Sequence, residues 1–387
     1  MSRQQKMIIP TESATVAINS IATAKIAAGI PVANLSAGEP KLPPHELLVT
    51  AVIAALKQGK TLYPPVAGLP ELKVLASQWL NSSYDCHFQE QHCLPVNGGK
   101  LGIYLLLQLL MTAGDEVIFS APYWVSYPTL VTLFGGMAKI VPSHAEEGWK
   151  LTPDALKKAC SKKSRFLILN NAANPTGALY SRAELAELLR IAAEQDLMVI
   201  SDEVYSELTY DDHRYISCGA FKEYRERVLL IQSCSKNFAM TGWRIGFVFA
   251  PENIIKPLTT LLGQCTSGVT TISQWAAVAV LQEAQTISNW VRTTMQERRN
   301  ILCQALQKHF VKPIELPQSA LYIFLALRDL GVTTIHSVEF CKNALEQANV
   351  ALIPGAAFGQ DDYIRLSFGA EPEQLEQGVK ALAKYCG

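Results

Sequence analysis

A lysine set between hydroxyl residues and an arginine, directly after a fully apolar run, is the feature of this sequence best suited to covalent chemistry. The run Val228-Leu229-Leu230-Ile231 leads into Ser233-Cys234-Ser235-Lys236-Asn237, and Met240-Thr241-Gly242-Trp243-Arg244-Ile245-Gly246 follows at once. A lysine amine in water is protonated and inert, so it reacts only as an imine or when desolvated near other charge. A strand ending here would deliver Lys236 to a sheet edge, with Ser233 and Arg244 placed to clamp an anion through charge-assisted bonds. Together they suit an aldehyde cofactor with a phosphate tail. A lone lysine is ordinarily a solvated surface charge; Lys236 differs in the apolar strand before it and the small hydroxyl residues around it.

Other polar groups also fall at the ends of apolar runs. Asn97-Gly98-Gly99-Lys100 precedes the apolar block Leu101 to Ala113, where a helix N-terminus presents free N–H groups and a positive dipole end to a phosphate. A Gly-Gly before a helix also occurs with no ligand, so this motif gains weight only in company. The run Glu116 to Phe119 ends in Ala121-Pro122-Tyr123-Trp124-Val125-Ser126-Tyr127, aromatics that either stack on a ligand or pack under a loop. Phe166 to Leu169 enters Asn170-Asn171-Ala172-Ala173-Asn174-Pro175-Thr176-Gly177, and Leu197 to Ile200 ends at Ser201-Asp202-Glu203-Val204-Tyr205. Ligands of open α/β sheets sit at such strand ends. Gly38, in Ser36-Ala37-Gly38-Glu39-Pro40, lets backbone approach a ligand or simply makes a turn.

The elements that would carry these groups alternate strand and helix with short connections, which argues a mostly parallel sheet flanked by helices. Strands are expected at Val32 to Leu35, 116–119, 138–141, 166–169, 197–200, 228–231 and 245–250. Thr152-Pro153 reads as an N-cap with proline at the first helical position, and Ser181-Arg182-Ala183-Glu184 as a capping box. Helices are expected from Ser13 to Ala28 and Leu47 to Lys57, and one long helix from Gln274 to His309 would bridge to a smaller α+β unit. That unit would hold strands at 321–327, 351–353 and 364–368, and a closing helix with Leu375, Val379 and Leu382 on one face. At 387 residues the chain exceeds one simple core. The expected division is a large domain over 46–285 and a small domain of 286–387 together with 1–45, which includes an N-terminal arm.

Lys+Arg 34 balances Asp+Glu 34, so no net field favours nucleic acid or an acidic membrane surface, and small molecules are the expected partners. The nine cysteines form no C-x-x-C pair or metal-spaced cluster, which points to reduced thiols, no metal and a cytoplasmic location. Pro10 ends the first apolar run well short of an export signal. Gly102, Gln108 and Thr112 interrupt the longest apolar block, which falls below the roughly 18 residues of a bilayer span.

Ala121-Pro122-Tyr123-Trp124, Asn174-Pro175-Thr176-Gly177, Ser201-Asp202-Glu203-Val204-Tyr205, Ser235-Lys236 with Met240 to Arg244, and Ile364-Arg365-Leu366-Ser367-Phe368 occur in an order that resembles the class I aminotransferases of pyridoxal-phosphate fold type I. The bacterial aspartate aminotransferase subgroup is the most similar in pattern. The resemblance spans Gly38 to Arg365 and implies pyridoxal 5'-phosphate as cofactor, bound covalently by Lys236, which would also serve as general base. It further implies Asp202 at the ring nitrogen, Asn174 and Tyr205 at the phenolic oxygen, and Trp124 stacked on the ring. Gly99 and Lys100 would offer backbone N–H groups to the phosphate, joined by Ser233 and Arg244, with Ser235 as an accessory. Arg365 would grip the substrate α-carboxylate, with Gly38, Trp124 and Asn174 beside it. Tyr63 matches a residue that reaches across a subunit interface, implying a homodimer with shared sites.

The reaction implied is transfer of an amino group between an L-amino acid and a 2-oxo acid such as 2-oxoglutarate. The Lys100 side chain either meets a distal carboxylate, favouring aspartate and glutamate, or is simply solvated. An aromatic-preferring aminotransferase and a carbon–sulfur lyase on the same fold stay open as alternatives. A ligand sensor is disfavoured because no basic DNA-binding module precedes Ser13. Lys41 stands where the subgroup has Asp, Ser319 where it has Gly, and Gly268-Val269-Thr270 lacks the usual proline, departures that bear on specificity.

Overall fold

The computed structural model describes residues 14–310, 312–332 and 336–387. The opening segment Met1 to Pro10, read above for export signals, and Ser13 lie outside them. Among the described residues are twelve strands: β1 (Ala33–Asn34), β2 (Cys93–Val96), β3 (Glu116–Ala121), β4 (Met137–Pro142), β5 (Ser164–Asn170), β6 (Met198–Asp202), β7 (Val228–Ser233), β8 (Gly246–Phe249), β9 (Tyr322–Ala326), β10 (Val350–Ala351), β11 (Ile353–Pro354) and β12 (Tyr363–Ser367).

Seven of them form one sheet in the order β2-β8-β7-β6-β5-β3-β4. All neighbours from β7 through β4 pair in parallel, whereas β8 runs antiparallel to both β7 and β2. The central strands read as unbroken apolar runs because both faces are covered. Val117, Phe119, Ile168, Ile200 and Ile231 enter one core with Leu105, Leu106 and Leu258. Ile118, Leu167, Leu169, Val199 and Leu230 enter the other with Leu185, Leu188 and Leu189. The strand's two-residue side-chain period divides each run between the two.

The pairing of Asn170 with Asp202, and of Asp202 with Ile231, aligns the C-terminal ends of β5, β6 and β7. Ser233 follows two residues later, and the short helix Cys234–Asn237 begins immediately. Thr152 caps its helix through Ala155 N–H, and the Ser181–Glu184 capping box is formed.

A second sheet, β11-β12-β9, is antiparallel, and β1 pairs in parallel with β10. The helix Ala284–His309 packs on Pro372–Cys386, whose Leu375, Val379 and Leu382 are buried as their spacing requires.

Three features differ from the sequence expectation. The long helix is two, Thr271–Gln282 and Ala284–His309, broken where Glu283 leaves helical geometry at φ −117° and ψ 31°. No Gly or Pro marks that break. The 351–353 strand divides into β10 and β11 on either side of Leu352. Strand β2 was not among the expected strands; Pro95 lies within it, and it occupies a sheet edge, where a proline is tolerated. No helix among the described residues is long and apolar enough to cross a membrane.

Candidate active site

Strand β7 is buried at every residue and ends at Ser233, whose side chain accepts from Ser235 N–H to start the helical turn. That turn sets Lys236, half-buried, against the backbone of Gly38, and its amine donates to the Gly38 carbonyl. Desolvation holds the Lys236 pKa down to about 8, with Arg244 and Arg365 adding to the effect and Glu39 opposing it.

Asp202 closes β6, four per cent exposed. Its Oδ2 accepts from Tyr127 Oη at 2.6 Å, while Oδ1 is buried with no hydrogen-bond partner among the described residues. Burial raises its pKa to about 6, against the pull of the Tyr127 and Val204 donors. A buried carboxylate oxygen left unpaired is costly, and a protonated ring nitrogen would satisfy it.

Arg365, on β12, is two per cent exposed. Its Nη1 donates to Asn174 Oδ1 at 3.0 Å and its Nη2 to the Ser36 carbonyl at 2.8 Å, while Nε has no partner among the described residues. Its guanidinium lies 4.2 Å from the Tyr322 ring centroid and 5.1 Å from that of Phe358. Neither partner is a carboxylate, so the buried cation keeps donors for an anionic ligand. Tyr205, also buried, shares a 2.6 Å hydrogen bond with the Tyr322 hydroxyl.

At the other end, Gly98 adopts φ +89° and Gly99 opens the helix Gly99–Leu110. A side chain at Gly98 would place Cβ 2.3 Å from Arg244 Nη2, so glycine makes room for that guanidinium. Arg244 is exposed, held by the Thr241 carbonyl at 2.8 Å and by Ser235 Oγ at 3.5 Å. Helix N-terminus, Ser233, Ser235 and Arg244 thus converge as an anion cradle. The Lys100 amine sits 4.9 Å from the Trp124 ring centroid, and Trp124 packs edge-on to Tyr127.

One cavity of about 260 Å³ is lined by Gly38, Gly99, Lys100, Trp124, Asn174, Asp202, Tyr205, Ser233, Lys236, Arg244 and Arg365. Every site residue expected from the sequence is there except Tyr63, which is 91% exposed and borders a separate groove with Asn97 and residues 266–271. Of the three departures none lines the cavity: Ser319 is buried, donating to the Gly177 carbonyl, Lys41 N–H bonds the Gly369 carbonyl, and Gly268-Val269-Thr270 borders the Tyr63 groove.

Sequence reasoning did not single out Tyr127, Tyr322, Thr241, Ser126, Thr15 or Val16 as site residues. Tyr127 stood three residues after Trp124 as an available clue. Tyr322, at the start of an ordinary apolar strand, carried no local signal.

These residues fit pyridoxal phosphate: an unpaired carboxylate oxygen for the ring nitrogen, an amine of lowered basicity for the aldehyde, and a cradle for the phosphate. Residues 30–382 match the family model for aminotransferase class I and II. The aspartate aminotransferase of Geobacillus stearothermophilus is 35% identical over 380 residues, covering 97% of this chain and 96% of that protein. Among solved structures, the Thermus thermophilus aspartate aminotransferase with maleate superposes with a TM-score of 0.91 at 33% identity, covering 97% of each chain. An aromatic aminotransferase from Pyrococcus horikoshii OT3 superposes with a TM-score of 0.87 at 32% identity, covering 94% of this chain and 98% of that one. Sequence and structure agree over nearly the whole length, and the chain belongs to the pyridoxal-phosphate-dependent class I and II aminotransferases.

Proposed function

We propose that this aminotransferase moves the amino group of aspartate or glutamate to a 2-oxo acid such as 2-oxoglutarate, in a two-step exchange. The observation that carries the reading is Arg365, a buried guanidinium with no carboxylate partner among the described residues, in one cavity with the Lys236 amine. Such a group binds the α-carboxylate shared by amino-acid and 2-oxo-acid substrates. The aspartate aminotransferases of Geobacillus and Thermus support an acidic substrate.

Bound pyridoxal phosphate supplies the sink for the electron pair left on Cα when its proton departs. Lys236 would hold the cofactor through its aldehyde, and its Nζ would be the base that takes the Cα proton and returns it on the other side of the exchange. With a pKa near 8, a useful fraction of that amine is neutral at mildly alkaline pH. Asp202 Oδ1 would keep a proton on the ring nitrogen, and Asn174 and Tyr205 would hold the phenolic oxygen. Gly99 and Lys100 N–H, Ser233 and Arg244 would hold the phosphate. Trp124 would pack on the ring, Gly38 and Asn174 would line the carboxylate end, and the exposed Lys100 amine would meet the distal carboxylate.

The working unit is a homodimer with shared sites, in which Tyr63 reaches the partner's phosphate cradle. Exposed apolar residues in the stretch that leads to it, Leu56 at 50% and Leu62 at 81%, support a covering surface. Domains divide as 46–285 against 1–45 with 286–387, close to the Glu283 break. Nine free thiols support a cytoplasmic setting.

A panel of amino donors against 2-oxoglutarate tests the reading. Oxaloacetate formed from aspartate supports it. Preferential turnover of aromatic donors, or release of pyruvate and ammonia from cysteine-type substrates, overturns it in favour of an aromatic aminotransferase or a lyase.

A further inference from the structure

Tyr322 touches each part of the site that must act together, yet it belongs to none of the groups that would hold cofactor or substrate. Its hydroxyl is 2.6 Å from that of Tyr205. Its ring face lies 4.2 Å from the Arg365 guanidinium carbon. Its edge sets the space at Gly38, where a Cβ would come within 2.4 Å of the Tyr322 oxygen and 3.2 Å of two ring carbons. The residue itself is one per cent exposed, on a strand paired with β12, which carries Arg365.

Resting on the aminotransferase reading, we propose that Tyr322 is a positioning residue with two separable tasks: its hydroxyl directs the Tyr205 proton toward the cofactor, and its ring holds Arg365 for the substrate carboxylate. A hydroxyl has one proton to give. If Tyr205 spends its proton on the cofactor's phenolic oxygen, the bond between the two tyrosines must be donated by Tyr322. That donation polarises Tyr205 and strengthens its own donation, as in any chain of hydrogen bonds. The ring meanwhile gives Arg365 an electron-rich face where no carboxylate pairs with it. Gly38 is then required because a larger residue would displace the ring that both tasks use.

The two tasks come apart by mutation. Tyr322→Phe keeps the ring and removes the hydroxyl; Tyr322→Leu removes both. Two measurements read them: the pH midpoint of the holoenzyme's visible absorbance, and the Kd of succinate, an unreactive dicarboxylate. With Phe, Tyr205 becomes a weaker donor, the phenolic oxygen stays more basic, and the cofactor keeps its proton to higher pH. The midpoint should rise by about half a pH unit while the succinate Kd changes by less than about twofold. With Leu the Kd should also rise about tenfold. Gly38→Ala should raise the Kd, and adding Tyr322→Phe should restore part of the loss by relieving the contact with the oxygen.

An unmoved midpoint in Tyr322→Phe, or an unchanged succinate Kd in Tyr322→Leu, overturns the proposal. If the Leu variant does not fold, the Gly38→Ala pair decides, and absence of any recovery overturns it. Turnover of aspartate is scored separately: the spectral midpoint needs no dicarboxylate, and if the donor panel rejects aspartate the Kd is read with an unreactive carboxylate analogue of the donor it selects, since the α-carboxylate is common to all.

Discussion

Replacing Arg365 with lysine should separate a two-point grip on the substrate from simple positive charge. The guanidinium has five N–H donors. Two are used, on Asn174 Oδ1 and the Ser36 carbonyl, and three, including the unpartnered Nε, remain for a carboxylate. Lysine offers three donors in all. If it satisfies the same two buried acceptors it keeps one for the ligand, so the substrate loses at least one charge-assisted bond. Such a bond contributes about 1.5 to 3 kcal/mol, which corresponds to roughly a 10- to 150-fold fall in kcat/KM. Because every amino donor and every 2-oxo acceptor carries the α-carboxylate, the loss should be similar in both half-reactions, measured by single-turnover kinetics with aspartate and with 2-oxoglutarate. The holoenzyme should keep its visible absorbance, with at most a small shift of its pH midpoint, since Arg365 meets the groups around the cofactor through Asn174 and Tyr322. A fall of less than threefold, or one confined to a single half-reaction, would refute the reasoning.

Other perturbations test the cofactor side. Lys236→Ala should abolish covalent attachment of pyridoxal phosphate, read by mass spectrometry after borohydride reduction, and lower turnover at least about 100-fold; a variant that still retains the reduced adduct would end the assignment. In the apoprotein, attachment should speed up with pH only until about 8, where the desolvated amine loses its proton; a rise continuing toward the ordinary lysine value of 10.5 would show that Lys236 is not desolvated. Tyr127→Phe removes the donor that favours ionised Asp202, so the Asp202 pKa should move up from about 6 by about one to two units. Cofactor affinity of that variant, followed by fluorescence from pH 5.5 to 9, should be weakened near pH 7 and approach wild type as pH rises. Superimposable profiles would contradict the role given to Tyr127. Gly98→Ala would force a side chain onto Arg244 at a φ of +89°. It should weaken binding of pyridoxal phosphate but not of unphosphorylated pyridoxal, and an equal loss for both would argue against the cradle.

Much of this molecule could be read from local pattern. Apolar runs with polar groups at their ends marked the strands β3, β5, β6 and β7, because a strand buried on both faces must be apolar throughout and chemistry can begin only where it ends. Asp202, Asn174 and Lys236 were visible for that reason, the Gly98-Gly99 turn because it opens an apolar helix, and helix starts at Thr152 and Ser181 declared themselves through capping chemistry within four residues. The break at Glu283 and the edge strand β2 had no such signature.

What tertiary structure decided is which distant residues meet. Ser36 and Arg365 are 329 positions apart and Gly38 and Lys236 are 198 apart, yet each pair shares a hydrogen bond. Tyr322 and Tyr127 act through hydroxyls set against Tyr205 and Asp202 by packing of whole elements. Residue types along the chain determined the fold class and the family, and pointed to Lys236 as the amine proposed to react. The environment of each group, from the unpaired oxygen of Asp202 to the free donors of Arg365, follows from burial and neighbours, which no local stretch of sequence contains.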